Sequence, residues 1–314
     1  LIKRTLALSV IFGSAAAPVH AELIFGLLNN DTTAGQRLVT FDSTTLAVTS
    51  TVVLGTPSNI GSLSSIDVQP STGQLFGFSS GTDQLYMVNP TTGALTTVGS
   101  PLATGTISGA TIAFDPTANV IRLIGTQGGN QNIRLSPSTG AVVSTDTSLT
   151  YSPTDSGAGS TPSIANVAFS NDRAGATSTT LFDVDIARDV LTVQNPINGG
   201  LLSTVGPLGF DAGATSGFGT FDGFAISAPT GIGYLTDSPA GTPPFLGGPS
   251  ATTATLYSVN LATGAATSDG LISGLPFGRS IQDIAVVPAA VPEPATLGLI
   301  GAVGALAFGR RRRA

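Results

Sequence analysis

The strongest constraint on this chain is a phrase that it repeats. Residues 85–99 read Leu-Tyr-Met-Val-Asn-Pro-Thr-Thr-Gly-Ala-Leu-Thr-Thr-Val-Gly. Echoes begin at Ile133, Leu191 and Leu256, and a degenerate copy begins at Leu38. Aligned at the turn residue, the copies fall at Leu46, Gly93, Gly140, Gly199 and Gly264, with spacings of 47, 47, 59 and 65 residues. Each copy alternates on both sides of a turn led by Asn, Asp or Ser, which reads Asn/Ser-Pro-x-x-Gly in three copies, Asn-Leu-Ala-Thr-Gly at Asn260 and Asp-Ser-Thr-Thr-Leu at Asp42, and this is the pattern of two paired strands. The glycine supplies the positive φ that such a loop often needs. A further strand pair precedes most copies, starting at Ile66 for the second, Ile112 for the third, Val167 for the fourth and Phe224 for the fifth.

Four strands in about 47 residues match one blade of a β-propeller. The sequence therefore predicts an all-β chain of about five four-stranded blades. The first copy lacks its opening strand, and a spare strand stands at Ile281 to Val287. The N-terminal strand after Glu22 is expected to pair with that spare strand, so that the two ends share one blade and leave no open sheet edge. A count of six follows if residues 147–165 or 237–252 hold further strands. A β-sandwich and a β-helix are the competing architectures.

The scarce residues limit the chemistry. The chain has no cysteine, so a packed core rather than disulfides must stabilise it. Residues 23–290 contain no His, Cys, Lys, Glu or Trp, and set six Arg against 16 Asp. That balance argues against nucleic-acid binding, which needs cations to neutralise phosphates. No imidazole base, thiolate, Schiff-base lysine or Ser–His–Asp triad is available. A His/Cys zinc site is likewise excluded. The expectation is a protein that is not an enzyme and has no cofactor, with calcium as the one metal that Asp oxygens suit.

The two ends read as addresses. Lys3-Arg4, an apolar run from Leu6 to Ala17 and small residues at Val19 and Ala21 describe a secretory signal peptide over residues 1–21, cleaved after Ala21. Residues 22–290 then form the propeller domain, and residues 291–314 a C-terminal segment. That segment reads Val291-Pro292-Glu293-Pro294, an apolar run from Ala295 to Gly309, and Arg310-Arg311-Arg312-Arg313. Such a run before a basic cluster behaves as a stop-transfer helix. Its fifteen residues fall short of the ~20 of a usual span, so a short anchor and a buried helix both fit.

The C-terminal pattern resembles the PEP-CTERM sorting signal. The resemblance implies export in bacteria that make extracellular polysaccharide. It also implies the secretion translocon and an exosortase-type membrane protease as partners, with transient membrane anchoring before release to the cell surface or exterior. Ala113-Phe-Asp-Pro, the stretch from Asn132 to Val142 and the stretch from Ala168 to Leu191 resemble the DUF4394 family of exported bacterial proteins. That family is a domain of unknown function, so its likeness speaks for the fold and names no activity.

Three sets of residues are candidates for chemistry. Asp183 and Asp185 share one strand face and Asp189 follows the turn at Arg188, so they could offer oxygen ligands to calcium. The same residues also suit a strand end and a hairpin. Arg122 and Arg134 flank a Gly/Asn-rich loop and could meet on neighbouring strands, forming an anion or sugar site with Asn130 and Asn132. Alternatively they are salt-bridged to Asp115 or Asp185. Tyr86, Tyr151, Tyr234 and Tyr257 could stack on sugars, or face the core. The functional expectation is a binding or structural component of the envelope or exopolysaccharide matrix. The competing class is a hydrolase or lyase that uses Asp and a metal, which several Asp converging on the central axis would favour.

Overall fold

A computed structural model of the chain describes residues 21–29, 35–55, 62–103, 107–127, 131–212, 223–238, 254–276 and 279–287. The predicted leader before Ala21, Asn130 and the segment from residue 291 lie outside them. Among the described residues no helix is long and apolar enough to cross a membrane, and the apolar run from Ala295 falls outside that set.

The described strands form five small sheets. Blade 1 joins β1 (Leu23–Leu28), β2 (Arg37–Asp42) and β3 (Val48–Val53) to the last strand, β21 (Ile281–Val286). Blade 2 holds β4 (Ser65–Val68), β5 (Leu75–Ser79), β6 (Gln84–Val88) and β7 (Leu95–Val98). Blade 3 holds β8 (Ser108–Asp115), β9 (Val120–Gln127), β10 (Gln131–Leu135) and β11 (Val142–Thr145). Blade 4 holds β12 (Thr150–Tyr151), β13 (Ile164–Phe169), β14 (Leu181–Asp185), β15 (Val190–Gln194) and β16 (Leu201–Pro207). Blade 5 holds β17 (Phe224–Ile226), β18 (Gly233–Asp237), β19 (Thr255–Val259) and β20 (Ala266–Leu271).

The inner strands β21, β4, β8, β13 and β17 neighbour one another in a closed circuit, which makes the chain a five-bladed propeller. β1 pairs antiparallel with β21, Ile24 opposite Val286 and Leu27 opposite Asp283, as the spare strand predicted. Residues 147–165 do hold a strand, β12, but it adds to an edge and starts no sixth blade. Thr150 and Tyr151 run parallel to Leu201 and Leu202 on the outer strand of blade 4.

Each blade buries both faces against its neighbours, so the core is five apolar layers between blades. Phe76, Phe78 and Leu85 meet Ile112, Phe114 and Leu123 between blades 2 and 3, where Phe76 and Phe114 pack edge to face at 5.2 Å. Ile24, Phe41 and Ile284 meet Tyr234 and Leu256 between blades 1 and 5. A fully buried Leu, Ile or Phe contributes about 1.5–3 kcal/mol. Two-sided burial also explains why alternation is imperfect: in β6, Leu85, Tyr86 and Val88 are all buried and Met87 alone reaches solvent.

The repeat turn has a double role. Asn89 Oδ1 accepts the N–H groups of Thr91 and Thr92 at 3.0 Å, and Gly93 takes φ +75°. In the degenerate first copy Asp42 caps Thr44 and Thr45 in the same way, and Leu46 adopts φ +54°. The fourth turn is one residue longer, so Gly200 and not Gly199 takes the left-handed conformation. The turn also touches the preceding blade. Gly55 N donates to Gly93 O at 2.8 Å, and a Cβ on Gly93 would stand 2.0 Å from Val53 O. Gly93→Ala should therefore cost about 2–4 kcal/mol, from backbone strain and overpacking together. Gly73 shares the positive φ but has open space around its Cβ position, so Gly73→Ala should cost only about 1 kcal/mol. Urea unfolding of both variants checks this. Equal losses would mean that blade contact does not set the glycine.

Candidate functional site

Arg122 on β9 and Arg134 on β10 are cross-strand partners, as expected. Their common anion is Asp146, neither Asp115 nor Asp185. Arg122 Nη1 lies 2.5 Å from Asp146 Oδ2, and Arg134 Nη2 lies 2.8 Å from Oδ1. The two expected partners are engaged elsewhere. Asp115 caps Thr117 and Ala118 in its own turn. Asp185 accepts the Tyr151 hydroxyl at 2.5 Å and the Ala187 N–H at 2.9 Å. Asp146 is delivered by its strand end, where its N–H donates to Asn132 O at 2.7 Å.

This cluster is interior. Arg122 and Asn132 are both 0% exposed. Arg122 also donates to Asn132 Oδ1 at 2.7 Å and, across the gap to blade 4, to Asn198 Oδ1 at 2.5 Å. Asn132 Nδ2 in turn donates to Thr147 O at 3.1 Å. Burial lowers the Arg122 guanidinium from its ordinary value, and Asp146 opposes that. Burial raises the Asp146 carboxyl, but hydrogen bonds from Arg134 and Arg122 outweigh it and hold Asp146 below the usual range. The arginine pair thus joins blades 3 and 4 and already has its anion.

The three aspartates proposed for calcium do not converge. Asp183 and Asp185 share the face of β14 that looks toward blade 3, both wholly buried. Asp183 has no partner for either carboxylate oxygen. Burial drives its carboxyl well above the ordinary value, against the pull of Arg122. Asp189 sits in the hairpin turn at φ +53° and accepts the Ala212 N–H at 2.9 Å. Among the described residues no group of three or more His, Cys, Asp or Glu is placed to hold a metal ion. Tyr86, Tyr151 and Tyr234 are buried, and Tyr257 is stacked on Phe210 with ring centroids 4.5 Å apart.

Sequence reasoning missed the carboxylates at the axis. Asp67 occupies the inner-strand place where the other blades carry Ala113, Ala168, Ala225 and Ala285. That contrast in aligned repeats was its visible signal. Asp67 Oδ2 accepts the Phe114 N–H at 2.6 Å. Asp283 Oδ2 accepts Ser65 Oγ at 2.5 Å and the Ile66 N–H at 2.8 Å, and Ser65 Oγ accepts the Ile112 N–H at 2.9 Å. A polar clamp thus runs along the inner edges from blade 1 to blade 3. Burial pushes Asp67 and Asp283 up to about 7, although their N–H donors pull the other way. Asp172 is pushed up to about 9 by burial and then by Asp67 and Asp115. The cleft between Asp67 and Asp172 has about 10 Å³ of free space. That is room for about one water and not for a sugar.

The roomier feature is a groove of about 560 Å³ where blades 2 and 3 meet, on the side that carries the repeat turns. Gln69, Gln74, Met87, Asn119, Ser138 and Val143 are among its walls, and no charged residue lines it. Met87 and Val143 present apolar surface at 37% and 54% exposure. Gln69 Nε2 donates to Asn119 Oδ1 at 2.9 Å and so links the two blades across the floor. Amide and hydroxyl groups beside apolar carbon, with no acid or base, suit a neutral hydroxylated ligand.

Residues 37–285 match the family described as Domain of unknown function (DUF4394). The chain belongs to the DUF4394 family. Residues 290–313 match the PEP-CTERM protein-sorting motif, which marks this DUF4394 protein for exosortase recognition and a membrane-anchored sorting step during export. None of the curated proteins compared with the chain matches it. A protein of unknown function from Bacteroides caccae is similar at 11% identity and a TM-score of 0.44, covering 86% of this chain and 100% of that one. An auxiliary nutrient binding protein from Bacteroides ovatus is similar at 15% identity and a TM-score of 0.43, covering 66% of this chain and 52% of that one. A structural genomics protein of unknown function from Bacteroides thetaiotaomicron is similar at 12% identity and a TM-score of 0.42, covering 76% and 57%. At these identities and scores they bear on neither ligand nor activity.

Two outcomes are expected of the buried charges in this DUF4394 propeller. Asp146→Ala removes the shared anion of two arginines, one of them wholly buried, and should cost about 3–5 kcal/mol by urea unfolding. A loss no larger than that of an exposed Asp would show that the pair is solvated. The folded-state values of Asp67 and Asp283 lie above the unfolded value of about 3.9. Folding therefore takes up protons between those values, and stability falls as pH rises from about 4 to about 7. Asp67→Asn with Asp283→Asn stays neutral throughout and should flatten that fall. An unchanged slope of unfolding free energy against pH would exclude these two groups as its source.

Proposed function

We propose that this exported, surface-sorted propeller is a binding component of the bacterial envelope or exopolysaccharide matrix, and that it holds its ligand without turning it over. The observation that carries this reading is the uncharged groove between blades 2 and 3. Its amides and hydroxyls are the groups that recognise a neutral, hydroxyl-rich polymer, and its exposed Met87 and Val143 offer apolar contact to sugar ring faces. The lack of His, Cys, Lys and Glu from residues 23–290 supports binding over catalysis. No cofactor is invoked.

The competing reading is an Asp-dependent hydrolase or lyase. It draws support from Asp67 and Asp172, which line the axial cleft from different blades. The cleft there is too small to admit a substrate in this conformation.

Affinity electrophoresis against neutral polysaccharides tests the groove. Retardation is expected for the parent protein. Gln74→Ala with Asn119→Ala should weaken it about tenfold, the worth of one or two net hydrogen bonds. Asp183→Asn, far from the groove, should leave binding unchanged. No retardation by any neutral polysaccharide would sink the reading. A product that accumulates and then disappears in Asp67→Asn with Asp172→Asn would establish the enzyme instead.

A further inference from the structure

The seam between the first and last blades holds a carboxylate that lacks a charge partner. Glu22 immediately precedes β1 and is only 7% exposed. Its Oε1 accepts the hydroxyl of Ser227, from the β17–β18 turn of blade 5, and the Thr230 Oγ1 at 3.5 Å. Its backbone N donates to Ser43 Oγ at 3.0 Å, and its carbonyl accepts the Ser43 N–H at 2.9 Å. The buried Tyr234 contributes its hydroxyl beside Ser43 and Glu22. Glu22 Oε2 is buried and has no hydrogen-bond partner. Among the described residues no ion pair reaches it, the three that are formed being those of Arg122, Arg134 and Arg188. A buried carboxylate is costly to keep unless it is paired and hydrogen-bonded.

The missing cation has a source in the chain itself. With residues 1–21 attached, the nitrogen of Glu22 is a neutral amide with one proton. Hydrolysis of the Ala21–Glu22 bond leaves a carboxylate on Ala21 and an ammonium on Glu22, with three donors and a positive charge. One donor keeps the bond to Ser43 Oγ. The other two sit on the same residue as the orphan Oε2. We propose that this seam pocket is a primary-ammonium site, and that its ligand is the amino terminus created at Glu22 when the leader is removed. Leader removal then completes a polar contact between blades 5 and 1. The inference rests on cleavage after Ala21 and is independent of what the groove binds.

The composition supplies a clean probe. Lys3 is the only lysine, so a chain that starts at Glu22 has one primary amine, its own terminus. Two forms that run to Ala314 would be purified in mild detergent, one starting at Glu22 and one with an extra alanine before it. Each would be treated with an amine-acylating reagent, folded and in urea. The Glu22 terminus should react about tenfold more slowly when folded than when unfolded, since an adjacent buried carboxylate holds the ammonium form by about one pKa unit. The extended form should react at nearly the unfolded rate and melt about 3 °C lower, the effect of one such contact in a domain of this size. Glu22→Gln should erase both differences. Equal labelling of the Glu22 terminus in the folded and unfolded states overturns the proposal, as does protection that survives Glu22→Gln. If Glu22→Gln does not fold, the comparison of the two parent termini still decides. Amino-terminal sequencing of the exported protein separates the two ideas. A start other than Glu22 overturns the terminus as the ligand, even where the recombinant Glu22 amine is protected.

Discussion

The antiparallel pairing of β21 with β1 is the contact on which the ring depends. Every inner strand of the propeller packs between two others, and four of the five arrive in chain order. The fifth comes from the far end of the chain, and β1 has no inner partner without it. The same strand carries Asp283, whose carboxylate bonds to Ser65 and Ile66 on the next blade. One segment therefore closes blade 1 within its sheet and fastens it to blade 2. Closure of this kind removes the interior edges that an open row of blades would leave exposed to pairing with other chains.

A chain so poor in charge places its few ions where they define contacts between blades. Four of the blade interfaces rely on apolar clusters with few ions among them. The interface of blades 3 and 4 adds Arg122, Arg134 and Asp146 to its apolar cluster. A buried ion pair contributes little net stability compared with well-packed hydrocarbon, yet it is severely destabilising to break. A site of that kind makes the two blades meet in one register. The arginines that looked like an anion site from sequence thus serve packing, and the uncharged groove next door remains open to a ligand. The fold alone implies neither role, since propellers carry many functions on one scaffold.

The closing strand pair also brings the two ends of the propeller domain together. Val287 N donates to Leu23 O at 2.9 Å, so the first and last strands of the ring end side by side.

Much of the architecture was legible in sequence because a propeller blade is a local object. The turn phrase at Asn89 to Gly93, the alternation around it and the unpaired strand at Ile281 are all written within short windows, and they predict about five blades and their closure. The C-terminal sorting motif is equally local. Side-chain partnership is not. Nothing near Arg122 in sequence points to Asn198, because their contact exists only once blade 4 is stacked on blade 3. Asp183 and Asp185 share a strand face as their spacing required. Whether that face met solvent, a cation or another blade was decided by stacking, which buried it and left Asp183 without a partner. The groove is likewise a product of two turns and two strands from adjacent blades. Composition and repeat spacing thus pointed to a ring of about five blades followed by a C-terminal sorting motif. Tertiary packing alone decided which polar groups are buried as structure and which line the open groove, because burial depends on what comes to lie opposite each strand face.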